Sequence, residues 1–252
     1  MTKNPGNLQE LSSWQPVKTG INSLDNVLGG GLYPGLFILS AGPGAGKTAL
    51  ALQIADHIAG AGQNVLYFAL DIGRLEMTCR SLARECYKLN PATAPSTGDI
   101  LKGRLTPGQK ALLEQVATTY GQAARHLTIQ DAAFVNTEQI RQHLRQYIAL
   151  KGSAPVVIID YLQTLRPLDP RMTHNQTVTE LKHISREVSA PVLAISSNDL
   201  DDVAADCLLS MQAGEQTEEQ RGVKLQVLKN RTGSRGPDID LTYWPAHNLF
   251  TK

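Results

Sequence analysis

Short apolar runs alternate with amphipathic stretches along most of the chain. Leu36 to Leu39, Asn64 to Leu70, Val156 to Ile159 and Pro191 to Ser197 are almost continuously apolar. Runs of that kind suit strands covered on both faces, as in a parallel sheet. Between them apolar residues recur at helical spacing: Leu50, Ile54 and Ile58, then Val178, Leu181, Ile184 and Val188. Ile21, Leu24 and Leu28 form a shorter helical set ended by Gly29 to Gly31. Further helices are predicted over Arg74 to Leu89, from Thr106-Pro107 to about Tyr120, and over Thr137 to Leu150 with Thr137 as a cap. Leu127 to Asp131 reads as a short strand.

The C-terminal third changes character. Arg166 to Gln176 is a polar loop, and "NDLDDVAAD" is short and acidic, with Asp199, Asp201, Asp202 and Asp206. Cys207 to Met211 reads as a strand and "AGEQTEEQRG" as a polar turn. "VKLQVLKNR" and "IDLTYW" alternate as antiparallel edge strands across a turn at Gly233 to Pro237. The expected fold is therefore α/β: a mostly parallel central sheet flanked by helices, with antiparallel C-terminal edge strands. Residues 1–16 read as a polar arm with a short helix around Leu8 to Trp14, and 17–252 as the main domain.

The stretch "LFILSAGPGAGKT" carries the chemistry. A buried strand runs into Gly42, Pro43, Gly44, Ala45 and Gly46, and the turn closes on Lys47, Thr48 and Ala49. Backbone N–H groups of such a loop can surround a phosphate, and the helix that follows points its positive end at the same anion. Lys47 is expected to reach the β- and γ-phosphates of a nucleoside triphosphate and Thr48 to ligate Mg²⁺. The usual pattern is G-x-x-x-x-G-K-[ST]; Ala41 takes the first position, which a negative φ permits. Asp71 and Asp160 each follow an apolar strand, at the sheet edge where ligands of open α/β sheets sit. Asp160 is expected beside Thr48 as the Mg²⁺-side carboxylate.

Composition narrows the setting. With 252 residues, 42% of them apolar, the chain can bury a large core. No apolar run reaches the length of a membrane span, and the N-terminal residues contain no apolar signal region, so a cytoplasmic protein is expected. Cys79, Cys86 and Cys207 form no CxxC pair and read as buried reduced thiols. The formal net charge of +1 excludes a polycation but not a local basic patch. The six His are scattered without ligand spacing, so no zinc site is expected.

Taken together, "TGINSLDNVLGGGLYPG", "AGPGAGKT", "FALD", "GRLTPGQ", "IIDYLQTL", "PVLAISS" and "LKNRTGSRG" resemble the RecA-like ATPase domain of DnaB-type replicative helicases over about residues 17–250. The resemblance implies a P-loop NTPase of RecA-like fold that binds ATP and Mg²⁺ and works as a hexameric ring on single-stranded DNA with other replication proteins. It implies that Asp71 stands where the family has the glutamate that activates water. It also implies that Lys229 and Arg231 match the basic pair reaching a neighbour's γ-phosphate, with Arg231 as an arginine finger in trans.

Four departures accompany it. Asp71 is one methylene shorter than Glu. Ser197-Asn198 stands where the family has a glutamine that senses the γ-phosphate. The long DNA-binding loop is replaced by about ten residues that include Asp199, Asp201, Asp202 and Asp206, and only a short arm stands in place of an N-terminal domain. Two readings follow: a compact helicase in which Arg166, Arg171 and Arg235 repeat around a pore, and a helicase-derived ATP-binding regulatory or assembly protein that oligomerises without unwinding.

Overall fold

A computed structural model describes residues 15–131, 135–169, 171–197 and 204–252. The expected helix over Leu8 to Trp14, and Asn198, Asp199, Asp201 and Asp202, lie outside the described residues. The strands are β1 (Gly35–Ala41), β2 (Val65–Ala69), β3 (Leu127–Asp131), β4 (Val156–Asp160), β5 (Pro191–Ser196), β6 (Cys207–Gln216), β7 (Arg221–Asn230), β8 (Ile239–Trp244) and β9 (Leu249–Thr251). The helices are α1 (Asn22–Val27), α2 (Lys47–Gly60), α3 (Arg74–Leu89), α4 (Thr97–Lys102), α5 (Pro107–Ala124), α6 (Thr137–Lys151) and α7 (His174–Val188).

One nine-stranded sheet runs in the order β3-β2-β4-β5-β1-β6-β7-β8-β9. The strands from β3 to β6 in that order are parallel, and the last three add antiparallel. The continuous apolar runs are explained by the two cores they feed. In β1, Phe37, Leu39 and Ala41 face a cluster shared with α2, while Leu36 and Ile38 face a second cluster shared with α6 and α7. β2 divides the same way, with Val65, Tyr67 and Ala69 on one side and Leu66 and Phe68 on the other. Strand side chains alternate between faces, so a strand covered on both sides must be apolar at every position.

The elements depart from the sequence expectations at a few identifiable points. The helix after β3 is capped by Asn136, which exchanges hydrogen bonds with Gln139 in a capping box; Thr137 is the first helical residue and is buried. Asn outranks Thr as a cap because its carbonyl reaches the free amide without a β-branch. Most of "AGEQTEEQRG" is strand: β6 extends to Gln216 and β7 starts at Arg221, leaving a turn of 217–220. Polar residues are tolerated there because the outer half of β6 is exposed. The helix from Pro107 reaches Ala124, and that from His174 takes in the end of the polar loop. α4, with a capping box between Ser96 and Asp99, and β9 were not anticipated.

β7 lies between β6 and β8, and β9 forms the outer edge. Gln53 of α2 holds β9 by both its amide groups, donating to Phe250 O at 2.9 Å and accepting from Phe250 N at 2.8 Å. The three cysteines are free and buried. Burial pushes the Cys207 thiol up to about 12 and the Cys86 thiol to about 11, so both stay protonated near neutrality. No helix among the described residues is long and apolar enough to cross a membrane.

A buried polar knot ties α2, α3 and α5 together. Asp56 accepts from Arg84, from Ser81 Oγ at 2.6 Å and from Tyr120 OH at 2.8 Å, and Arg84 also donates to Asn248 O at 3.2 Å. Removing one partner of a buried ion pair leaves the other charge uncompensated. Asp56→Ala is expected to lower the unfolding free energy by about 3–5 kcal/mol, read from the urea midpoint at constant slope.

Candidate functional site

The site begins where β1 ends. Ala41 is the last residue of that strand and has no positive φ, which is why the first position of the loop needs no glycine. Gly44 and Gly46 do have positive φ, +72° and +90°. At Gly46 a second constraint applies: a Cβ there would meet Phe250 Cζ at 2.9 Å and Tyr243 Cε1 at 3.0 Å. The two rings stack on each other, 4.4 Å between centroids, and support the loop from beneath. Gly46 is the N-cap of α2, so the first amides of that helix open toward the loop without a side-chain cap.

Lys47 and Thr48 are the first two residues of α2 and are both buried. Lys47 Nζ donates to Ala41 O at 2.8 Å and Gly42 O at 2.9 Å. Burial lowers its pKa, and the nearby Asp160 partly offsets that. Thr48 Oγ1 donates to Asp160 Oδ1 at 3.2 Å. Asp160, 3% exposed at the end of β4, also accepts from Tyr67 OH at 2.8 Å. Burial raises Asp160 to about 6, against the hydrogen bonds from Tyr67 and Thr48; the negative charge of Asp71 adds to the rise. Asp71 is exposed, two residues past the end of β2, and β2 pairs with β4 as far as Ala69 and Asp160. Lys47, Thr48, Asp71 and Asp160 therefore share one edge of the sheet.

The donor set suits a magnesium nucleotide. Mg²⁺ takes few protein oxygens and completes its octahedron with water and phosphate. One hydroxyl and one carboxylate, 3.2 Å apart behind the loop, are such a set. At Gly42 and Gly44 an added Cβ would meet nothing within 4 Å, so the loop's outer side is open.

Arg231 is at the opposite edge, and Lys229 lies within β7, level with Ile38. Arg231 N donates to Asp206 O at 2.9 Å, and Asp206 N donates to Leu36 O at 2.8 Å, which puts Arg231 level with the start of β1. The phosphate loop starts past Ala41, five residues further along, or roughly 17 Å at the rise of a strand. That rise sets Arg231 apart from the loop of its own chain. The other basic residues are also scattered. Arg171 is paired with its neighbour Asp169 at 3.0 Å, and Arg166 follows β4, whereas Arg235 lies beyond the far end of β7.

Three contacts had no anticipated role. Tyr67 sits within an apolar strand and reads as core, yet its hydroxyl engages Asp160. Gln163 Nε2 donates to Ser196 Oγ at 2.7 Å and its Oε1 accepts from Ser197 N at 3.3 Å, so the amide of "DYLQ" spans the ends of β4 and β5. Arg221 Nη1 donates to Gly44 O at 2.8 Å, bringing a guanidinium from the start of β7 onto the loop. No local signal marks that contact, which joins residues 177 apart in sequence.

With this geometry in view, the comparisons with known proteins are specific. The replicative DNA helicase DnaB of Synechocystis sp. is 32% identical over 194 residues, 75% of this chain and 21% of that protein. The replicative DNA helicase DnaB of Geobacillus stearothermophilus is 28% identical over 186 residues, 71% of this chain and 39% of that protein. The chain thus spans well under half the length of these curated relatives. Among solved structures, an isolated ATPase domain superposes with a TM-score of 0.81 at 21% identity, covering 96% of this chain and 94% of that one. A DnaB-like replicative helicase studied with primase gives 0.80 at 20% identity, covering 96% of this chain and 66% of that one. These likenesses identify the fold as RecA-like. A family model described as the DnaB-like helicase C terminal domain matches residues 16–202, and the chain belongs to that family.

Proposed function

We propose that the chain is an ATP-binding, Mg²⁺-dependent nucleotide hydrolase of the DnaB type, with residues 17–252 as its ATPase unit, working as a ring on single-stranded DNA during replication in the cytoplasm. The observation that carries this reading is the Thr48 hydroxyl held against the Asp160 carboxylate at 3.2 Å behind a glycine loop closed by a buried lysine. Gly42 to Ala49 hold the phosphates, chiefly through backbone amides. Lys47 places its charge against the β- and γ-phosphates, and Thr48 with Asp160 holds Mg²⁺, which neutralises charge on the phosphates when bound. Asp71, on the same edge and open to solvent, orients and deprotonates the attacking water.

Arg231, with Lys229 beside it, acts on the nucleotide of a neighbouring copy. Its distance from its own loop supports that division of labour, since a finger supplied from another subunit makes assembly a condition of turnover. A hexameric ring is the assembly proposed, and replication proteins are its partners. The related helicase studied with primase makes primase the first to test.

A second reading, an ATP-dependent assembly or regulatory protein that does not unwind, draws support from the short Asp71. ATPase rate measured against protein concentration, with and without single-stranded DNA at fixed salt, separates the two. A cooperative rise with stimulation by DNA supports the ring motor; a flat, low, DNA-insensitive rate with nucleotide still bound supports the other.

Asp71 offers a sharper test. A general base works within about 3 Å of the proton it takes. If the missing methylene limits that approach, Asp71→Glu raises the assembled turnover about tenfold with nucleotide affinity unchanged. A fall in turnover would remove Asp71 from the role.

A further inference from the structure

Asp206 is a heavily engaged carboxylate away from the nucleotide site. It is 3% exposed and lies one residue before β6, at the sheet edge opposite the phosphate loop. Its Oδ2 accepts from Leu36 N at 3.1 Å, and its Oδ1 meets both Lys182 Nζ and Arg231 Nη1 at 2.9 Å. Its own carbonyl accepts from Arg231 N at 2.9 Å. Arg231 is therefore held twice by one residue, by backbone and by side chain. Yet its side chain remains 60% exposed, with Nη1 the nitrogen engaged by Asp206. Lys182, on α7, also donates to Ala204 O at 2.7 Å, fastening the approach to Asp206 to the same helix.

We propose that Asp206 is a positioning residue for Arg231: it fixes one edge of the guanidinium so that the remaining donors face outward, toward the phosphates of a second copy of this chain. The inference rests on the trans role of Arg231 given above. An exposed arginine samples many rotamers, and ordering it at the moment of use is costly. An anchor on one nitrogen settles the rotamer beforehand, and the fork geometry then sets the direction of the other donors. The alternative arrangement, a carboxylate that buries the whole guanidinium, is at odds with the exposure of the side chain. Burial pushes the Asp206 carboxyl up, but the bonds from Lys182, Leu36 N–H and Arg231 outweigh it and hold the group below the usual carboxylate range.

The test is a double-mutant cycle on ATP turnover in the assembled protein, with ATP affinity measured separately by titration. Asp206→Asn is expected to lower kcat about tenfold with ATP affinity unchanged, and to have no further effect in an Arg231→Ala background. Lys182→Gln with Asp206→Asn removes both buried charges together and guards against simple misfolding; it is expected to give the same tenfold loss, again absent without Arg231. Equal losses with and without Arg231 would show that Asp206 serves the fold alone and would overturn the proposal. So would full turnover in folded Asp206→Asn. If Arg231→Ala itself leaves turnover intact, the trans reading fails first, and the positioning role falls with it.

Discussion

Lys47→Ala is expected to take ATP turnover to background, a loss of at least about 10²–10³-fold, and to weaken nucleotide affinity. Lys47 is 4% exposed, with its ammonium between the carbonyls of Ala41 and Gly42 and close enough to Asp160 to feel its charge. A cation in that position needs no reorganisation when charge builds on a transferring phosphoryl group, and alanine supplies nothing in its place. Stability should hardly move. Burial already disfavours the charged form of Lys47, so its removal costs the fold little. An unchanged melting temperature with lost turnover is the expected pair of results. Unchanged turnover would place the hydrolytic site elsewhere.

Arg231→Ala gives the second large effect, and it should be confined to the assembled protein. Arginine fingers contribute roughly 10³–10⁵ in rate, so a fall of that order is expected at concentrations where the wild type turns over cooperatively. Nucleotide affinity of the dilute chain should be unchanged, because Arg231 lies level with Leu36 and its own loop lies beyond Ala41. Mixing makes the trans assignment testable. Lys47→Ala protomers retain Arg231, and Arg231→Ala protomers retain an intact loop. A mixture should recover part of the turnover that neither variant shows alone. A mixture as inactive as its components would exclude a finger shared between subunits.

The site was unevenly legible in the sequence. The phosphate loop is a local object: Gly44 and Gly46 need positive φ, and Lys47 and Thr48 follow in the first turn of a helix. All of this is written within a few consecutive residues. Asp160 could be inferred from a strand that ends in a carboxylate, but its distance from Thr48 depends on strands that pair far from one another in sequence. Tyr67 could not be inferred. Within β2 it looks like any other core residue, and only the placement of β4 beside β2 brings its hydroxyl to Asp160.

The same division holds for the whole chain. The sequence by itself determined the α/β class, the parallel character of β1, β2, β4 and β5, and the location of the phosphate loop. Hydrophobic periodicity and glycine conformation act over a few residues and need no partner to be read. Only the tertiary structure decided that β7 lies inside the sheet, that Arg221 reaches Gly44, and that Asp206 holds Arg231 at the edge opposite the nucleotide loop. Those contacts join residues 25 to 177 positions apart, and they form because strand order and register must close two cores at once. A polar side chain has no periodicity of its own; its partner is whatever that closure brings beside it.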